Sequence, residues 1–377
     1  MSPAFDPKKD LVELKGKVII VTGANRQSGL GYSTVKHLVR EGAKVYIAAR
    51  NEQQSLESIE KLKEDLRLGQ DGPGSDGQVH FLKLDLGDPR NVKKVAEDFM
   101  AKESRLDVLV NNAAMHLESC GHEVCFLLWI SWYSLKDIAS LISPFVFTQT
   151  LLPLLTKTAQ EEDSDVRIIN VSSITHYIVP SIKKLETVED LNQEFHERPV
   201  AKFFRYAHTK LLIIIWARAL HKHLNSLSSI TPGASRIIVM SLNPGNVDTF
   251  SNRWPLPWLW RPLVRMLMTA PNVDIGVYPM VFAAAGKTVR EDREKYTGAY
   301  MSEKRDVVDP SNNARSDKLA EELWTLLQKI MKDNQVAPAS GSARYGDQAR
   351  GIRIITSAIS NSTFHHDDAL HHGILIS

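Results

Sequence analysis

Lys17-Val18-Ile19-Ile20-Val21-Thr22-Gly23-Ala24-Asn25-Arg26-Gln27-Ser28-Gly29-Leu30-Gly31 passes from an apolar, β-branched run into a glycine-rich turn, and a helical pattern begins at Tyr32. A strand, a glycine turn and a helix N-terminus in that order let backbone amides and the positive end of a helix dipole face a pyrophosphate. Glycine is needed because a side chain would block that approach. A glycine cluster alone is a weak signal; the strand before it and the helix after it give it meaning.

Outward from this turn, short β-branched runs alternate with helical stretches as far as Leu242. The expected strands are Lys17 to Val21, Lys44 to Ala49, Val79 to Leu84, Leu106 to Val110, Val166 to Val171 and Arg236 to Leu242. Each is mostly apolar without strict alternation, as strands covered on both faces are. The pattern predicts a doubly wound parallel α/β sheet. Tyr32 to Glu41 carries Val35, Leu38 and Val39 at helical spacing and stops at Gly42, a C-terminal cap signal. Gly69 to Gly77 reads as a surface loop. Asp317 to Ile330, with Leu319, Leu323, Trp324, Leu327 and Ile330 on one face, reads as a last docked helix.

Composition bounds the function classes. The net charge of +2 over 377 residues asks for neither nucleic acid nor an anionic membrane, so a small-molecule partner is expected. Two cysteines, Cys120 and Cys125, offer no disulfide framework and fit a reducing compartment. The polar N-terminus lacks a secretory signal, and Cys125 to Leu135 is too short to span a bilayer, so no transmembrane segment is expected and the cytoplasm is the expected location. His365, His366, His371 and His372 lie in a terminus without sustained periodicity, and Cys120, His122 and Cys125 have no second ligand pair; no metal site is expected. The expected organisation is one domain over 1–332 and a poorly ordered tail over 333–377.

Further chemistry sits at the predicted strand ends. Asp85-Leu86 follows the third strand, Asn111-Asn112-Ala113-Ala114 the fourth, Ser172-Ser173 the fifth and Asn243-Pro244-Gly245-Asn246-Val247-Asp248-Thr249 the sixth. Tyr206 and Lys210, four apart, share a helix face. A phenol is a poor acid or base at neutral pH, and a nearby ammonium favours the phenolate, so Lys210 is expected to lower the Tyr206 pKa. Any Y-x-x-x-K match alone fits an ordinary surface pair; four motifs in order do not.

Together these residues resemble the short-chain dehydrogenase/reductase family over about Lys17 to Ile330, with retinol-dehydrogenase-like and fungal secondary-metabolism members nearest in character. The resemblance implies a single Rossmann-type domain and hydride transfer between a nicotinamide cofactor and a carbonyl or alcohol. By position it makes Tyr206 the acid/base, Lys210 the pKa modifier and a ribose ligand, and Ser173 the donor to the substrate oxygen. It assigns cofactor contacts to Gly23, Asn25, Arg26, Ser28, Gly29, Leu30, Gly31, Asp85, Leu86, Asn112, Val247 and Thr249, besides Tyr206 and Lys210, and it has Asn111 tying the sheet. Ala49 stands where NAD-preferring members often carry Asp, and Arg50 follows it, which favours NADP(H) through charge-assisted bonds to a 2′-phosphate.

The chain departs from the family in four places, the mildest being Ala114 where the strand-end segment usually ends in glycine. Gly23 and Gly29 are separated by five residues instead of three; Ser140 stands where a relay Asn is expected; and 116–141 lacks the usual polar helix pattern. Trp254, Trp258, Trp260, Leu263, Met266, Leu267 and Met268 fall in a segment, about 250–271, that members use as a substrate lid. An apolar lid favours a hydrophobic ketone, aldehyde or alcohol, while the same residues would also suit docking on a partner or a membrane surface. The sequence leaves open homo-oligomerisation and a second function class, a catalytically impaired Rossmann-fold binding or regulatory protein, which the departures favour and Ser173, Tyr206 and Lys210 oppose.

Overall fold

The computed structural model describes residues 5–69, 76–113, 139–195, 197–198, 201–245 and 273–334. All of them belong to the unit Met1–Ala337. Seven strands form one sheet in the order β3-β2-β1-β4-β5-β6-β7. They are β1 (Val18–Thr22), β2 (Lys44–Ala49), β3 (Gln78–Lys83), β4 (Val108–Asn111), β5 (Arg167–Val171), β6 (Ile238–Leu242) and β7 (Tyr300–Met301). Every pairing is parallel. This is the doubly wound Rossmann-type sheet that the sequence pattern predicts. The expected strand ends shift by up to two residues, and β7 was not foreseen: two residues are too few to show a period.

The labelled helices are α1 (Leu30–Arg40), α2 (Glu52–Leu66), α3 (Pro89–Lys102), α4 (Ala139–Gln160), α5 (Val188–Leu191), α6 (Ala201–Ser226), α7 (Tyr278–Ala285) and α8 (Asp317–Asp333). Successive strand side chains point to opposite faces, and β1 shows the result. Val18 and Ile20 join a core with α3, α4, α6 and α8, whereas Ile19 and Val21 join a second core with α1, α2 and α7. Both faces are covered, which is why the strands read as apolar runs. Gly42 takes a φ of +90° just past α1, the left-handed conformation expected of a cap residue. The helix carrying Tyr206 begins earlier than the sequence suggested, at Ala201, so Tyr206 lies in its second turn instead of opening it.

The chain runs from β1 outward through β2 and β3, returns to the other side of β1 as β4, and continues outward to β7. Strand order therefore reverses between β1 and β4. Ligands of open α/β sheets bind at such a switch point, beyond the carboxyl ends of the strands. No described helix is long and apolar enough to cross a membrane.

Candidate active site

The glycine turn sits at that switch point. Gly23 has a φ of +69°, and a Cβ there would fall 2.8 Å from the Cα of Ala113. A Cβ on Gly31 would fall 2.7 Å from Asn112 Nδ2 and 2.9 Å from the Cα of Ala24. Neither position has room for a side chain, so β1, β4 and α1 meet only because these residues are glycine. Thr22 Oγ1 fastens the junction by accepting the backbone N–H groups of Asn112 at 3.0 Å and Ala113 at 2.9 Å. Asn112 Nδ2 donates to the carbonyl of Thr22 at 2.8 Å.

The two extra residues of the turn bulge outward. Gly29 N–H closes a tight turn on the carbonyl of Arg26 at 2.8 Å, and Gly29 is the N-cap of α1. The bulge is tied to α2: Asn25 Nδ2 donates to Gln54 Oε1 at 2.5 Å, and Ser58 Oγ donates to the Asn25 carbonyl at 3.0 Å. Asn25, Arg26, Gln27 and Ser28 with Gln54, Glu57 and Ser58 line an open cavity of about 590 Å³. Because the N-cap is a glycine, no cap side chain covers the first amides of α1, and they keep their capacity for an anion. A cradle too tight for any Cβ beside an uncapped helix N-terminus fits a dinucleotide pyrophosphate.

Arg50 is exposed at the end of β2, where Ala49 pairs with Lys83 of β3, and Asp85 and Leu86 follow on the neighbouring strand. Asn51 caps α2 by accepting from Gln54 N–H at 3.0 Å. Asp85 Oδ1 accepts from Gly87 N–H, and the Leu86 carbonyl accepts from Ser143 Oγ at 2.6 Å. Asn111 Nδ2 bonds Thr148 Oγ1 at 3.1 Å and Asn170 Oδ1 at 3.0 Å, which ties β4 to α4 and β5. Ser140 is buried near the start of α4. Val247, Thr249, the 250–271 segment, most of 116–141 and the tail from 335 onward lie outside the described residues.

Ser173, Tyr206 and Lys210 meet beyond the end of β5. The hydroxyls of Ser173 and Tyr206 are hydrogen-bonding neighbours. Lys210 is 5% exposed; its Nζ donates to the Val171 carbonyl at 2.9 Å and lies 5.7 Å from the centroid of the Tyr206 ring. Ser172 Oγ donates to the Lys210 carbonyl at 2.7 Å and so clamps α6 to β5, which leaves Ser173 as the serine facing Tyr206. Burial pulls the Lys210 ammonium down to about 8. The phenol behaves opposite to the expectation from spacing: desolvation raises the Tyr206 pKa above 10, the Ser173 hydrogen bond lowers it only in part, and the ammonium is turned toward Val171.

Sequence reasoning missed three features here: the Thr22 latch, the His176 bridge described below, and an apolar rim. Ile174, Tyr177 and Ile178 on the 3₁₀ turn after Ser173, and Phe203 on the first turn of α6, are all as open to solvent as Tyr206, itself 40% exposed. The turn and α6 pack against each other. Ile174, Tyr177 and Ile178 directly after Ser172-Ser173, and Phe203 three residues before Tyr206, were the available signal.

The family model described as short chain dehydrogenase matches residues 17–182. A short-chain dehydrogenase/reductase of Armillaria gallica is 33% identical over 88% of this chain and 97% of its own length. Retinol dehydrogenase 12 of Mus musculus is 28% identical over 85% of this chain and 88% of its own. The crystal structure of carveol dehydrogenase from Mycobacterium avium in complex with NAD is similar in fold, with a TM-score of 0.52 and 18% identity over 77% of this chain and 96% of that one. On the strength of a relative 33% identical over 88% of this chain and 97% of its own length, the chain belongs to the short-chain dehydrogenase/reductase family.

Proposed function

We propose that the chain is an NADP(H)-dependent oxidoreductase that moves a hydride between the nicotinamide and a hydrophobic ketone, aldehyde or alcohol. The observation that carries this reading is the meeting of Ser173, Tyr206 and buried Lys210 at one strand end, on a 3₁₀ turn and a helix that also carry exposed apolar side chains. Large apolar side chains are normally withdrawn from water, and several left open around a polar pair suit an apolar substrate with one polar oxygen. Gly23, Gly29, Gly31, the first amides of α1 and Asn112 would hold the dinucleotide, with Asn25, Arg26, Ser28, Leu30, Asp85, Leu86, Val247 and Thr249 as further contacts. The bound nicotinamide supplies or accepts the hydride.

The chain's own residues move the proton. Ser173 Oγ accepts the Thr175 N–H at 3.3 Å, so its own O–H is the part left to hold a substrate oxygen or the Tyr206 hydroxyl. Tyr206 gives its proton to that oxygen during reduction and takes it back during oxidation. A phenol whose pKa is raised stays protonated at neutral pH, which suits the reducing direction. Lys210, still mostly charged at neutral pH, supplies a cation one helical turn below. Preference for the phosphorylated cofactor rests on Ala49 in place of an acid and on Arg50 at the open rim, with Arg26 in the adjacent cavity.

The test is oxidation of NADPH, with NADH in parallel, over a panel of apolar ketones and aldehydes. Turnover with NADPH on the larger apolar substrates is expected. Equal affinity for both cofactors, or turnover confined to small charged substrates, would overturn the respective part of the reading. Residues 1–332 are taken as the catalytic domain, 250–271 as its lid and 333–377 as a tail, with the cytoplasm as the place of action.

A further inference from the structure

We infer that His176 is a positioning residue that sets the hydroxyl of Ser173, by bridging the backbone of the Ser173 turn to the chain beyond β7. The inference rests on the role proposed for Ser173. His176 is fully buried on the 3₁₀ turn Ile174–Ile178. Its Nδ1 lies 2.8 Å from the Ser173 carbonyl, and its Nε2 lies 3.2 Å from the backbone nitrogen of Ser311. A backbone N–H can only donate, so Nε2 is the unprotonated nitrogen and Nδ1–H donates to Ser173. Both ends of the neutral imidazole are thus committed, and one tautomer is fixed.

The Ser173 carbonyl receives a second bond, from the His176 N–H at 3.3 Å, while Ser173 Oγ accepts from Thr175. These three bonds fix the Ser173 peptide and take up one acceptor position of Oγ, which leaves its O–H to donate. The bridge is the centre of a wider clamp. Tyr177 hydroxyl donates to the Asp309 carbonyl, and Asn313 Nδ2 donates to the Pro180 carbonyl at 2.8 Å while its Oδ1 accepts from Ile182 N–H at 3.0 Å. The ring itself packs against Tyr177 and Tyr300, at centroid distances of 4.0 and 4.8 Å. Segment 309–313 therefore braces 173–182, and His176 is the only member of this set that touches the Ser173 peptide directly. A small error in the placement of a substrate-orienting group costs rate more than affinity.

Three substitutions separate this from packing. His176→Asn keeps an amide N–H where Nδ1 stood; His176→Gln keeps an acceptor near Nε2 and loses the Ser173 bond; His176→Leu keeps neither. Each is assayed for NADPH binding, thermal midpoint, and kcat and KM on the apolar aldehyde or ketone that the unmodified protein reduces fastest, beside Ser173→Ala. Expected are a kcat lowered about tenfold or more in Gln and Leu, with NADPH affinity unchanged, and recovery of most of kcat in Asn. Wild-type kcat in a folded Gln or Leu variant overturns the inference while inactive Ser173→Ala leaves the reading of the site intact. Losses that follow thermal midpoint through all three variants, with no recovery in Asn, overturn it as well. If Ser173→Ala keeps full turnover, or if no carbonyl in the panel is reduced, the reading of the site fails and the inference with it.

Discussion

Lys210→Met removes an ammonium from a buried slot and leaves an unbranched side chain of nearly the same length, which separates chemistry from stability. Burial moves the lysine from its ordinary 10.5 to about 8, a penalty of about 3 kcal/mol on the charged form. Because the folded value lies below the unfolded one, the charged side chain lowers stability in full below pH 8. That penalty fades as pH climbs from about 8 toward 10.5. Methionine escapes it but orphans the Val171 carbonyl, which costs about 1–3 kcal/mol. At pH 7 the net change is a gain of about 0–2 kcal/mol by this balance. Turnover, in contrast, should fall on the order of 100-fold and NADPH affinity should fall with it, since a fixed charge beside the reacting atoms is lost. Urea unfolding, NADPH titration and initial rates measure the three quantities. The activity of the unmodified protein should also decline as pH rises through about 8, and Lys210→Arg should move that limb upward, because a guanidinium stays charged. A Lys210→Met variant that loses several kcal/mol of stability yet keeps its turnover would refute the assignment and make Lys210 a structural residue.

Tyr206→Phe should keep cofactor binding and lower turnover by a factor on the order of 100 or more, measured as kcat against NADPH affinity; full activity would shift weight to the non-catalytic reading. Arg50→Ala should narrow the affinity difference between NADPH and NADH, read by titration of both cofactors, with little effect on kcat. Thr22→Val should destabilise by about 1–3 kcal/mol in denaturant unfolding, because Ala113 N–H loses its acceptor at a partly buried junction while Asn112 N–H keeps the Val110 carbonyl at 3.0 Å. A smaller change would mean that the β1–β4 junction relaxes around the loss.

What was legible in the sequence is what local spacing encodes. The β1 run predicts a strand buried on both faces because its alternate residues enter two separate cores, and the order of turn, strand end and helix carries the doubly wound topology. Tyr206 and Lys210 are one turn apart on any helix, and Ser173 ends any strand drawn through Val166 to Val171, so their meeting needed only the parallel arrangement. The unforeseen features depend on contacts distant in sequence or on solvent exclusion. Ser311 reaches His176 from 135 positions away, and no local pattern marks that partner. The start of α6 was misplaced because this helix is apolar around most of its circumference and carries no clear stripe. The direction of the Tyr206 shift was misjudged because spacing reports the distance to an ammonium but not the desolvation of the phenol by its neighbours or the carbonyl that competes for the ammonium.

The widened glycine turn and the residues proposed as catalytic lie on different sides of the switch point, and this bears on the choice between enzyme and binding protein. The two added residues are taken up between Arg26 and Gly29, in a bulge held by Gln54 and Ser58 of α2, on the side of the sheet where β2 and β3 end. Gly23 and Gly31 keep the close contacts with Ala113 and Asn112 that hold β1, β4 and α1 together. With the cofactor placed as proposed, an insertion absorbed toward α2 alters the surroundings of its adenosine half. The group proposed to move the proton is assembled from β5, its following turn and α6, which bond to one another through Ser172, Lys210 and Val171 without involving the bulge. The departure from the family pattern therefore bears first on cofactor affinity and selectivity, and the chemical step keeps its own independent support.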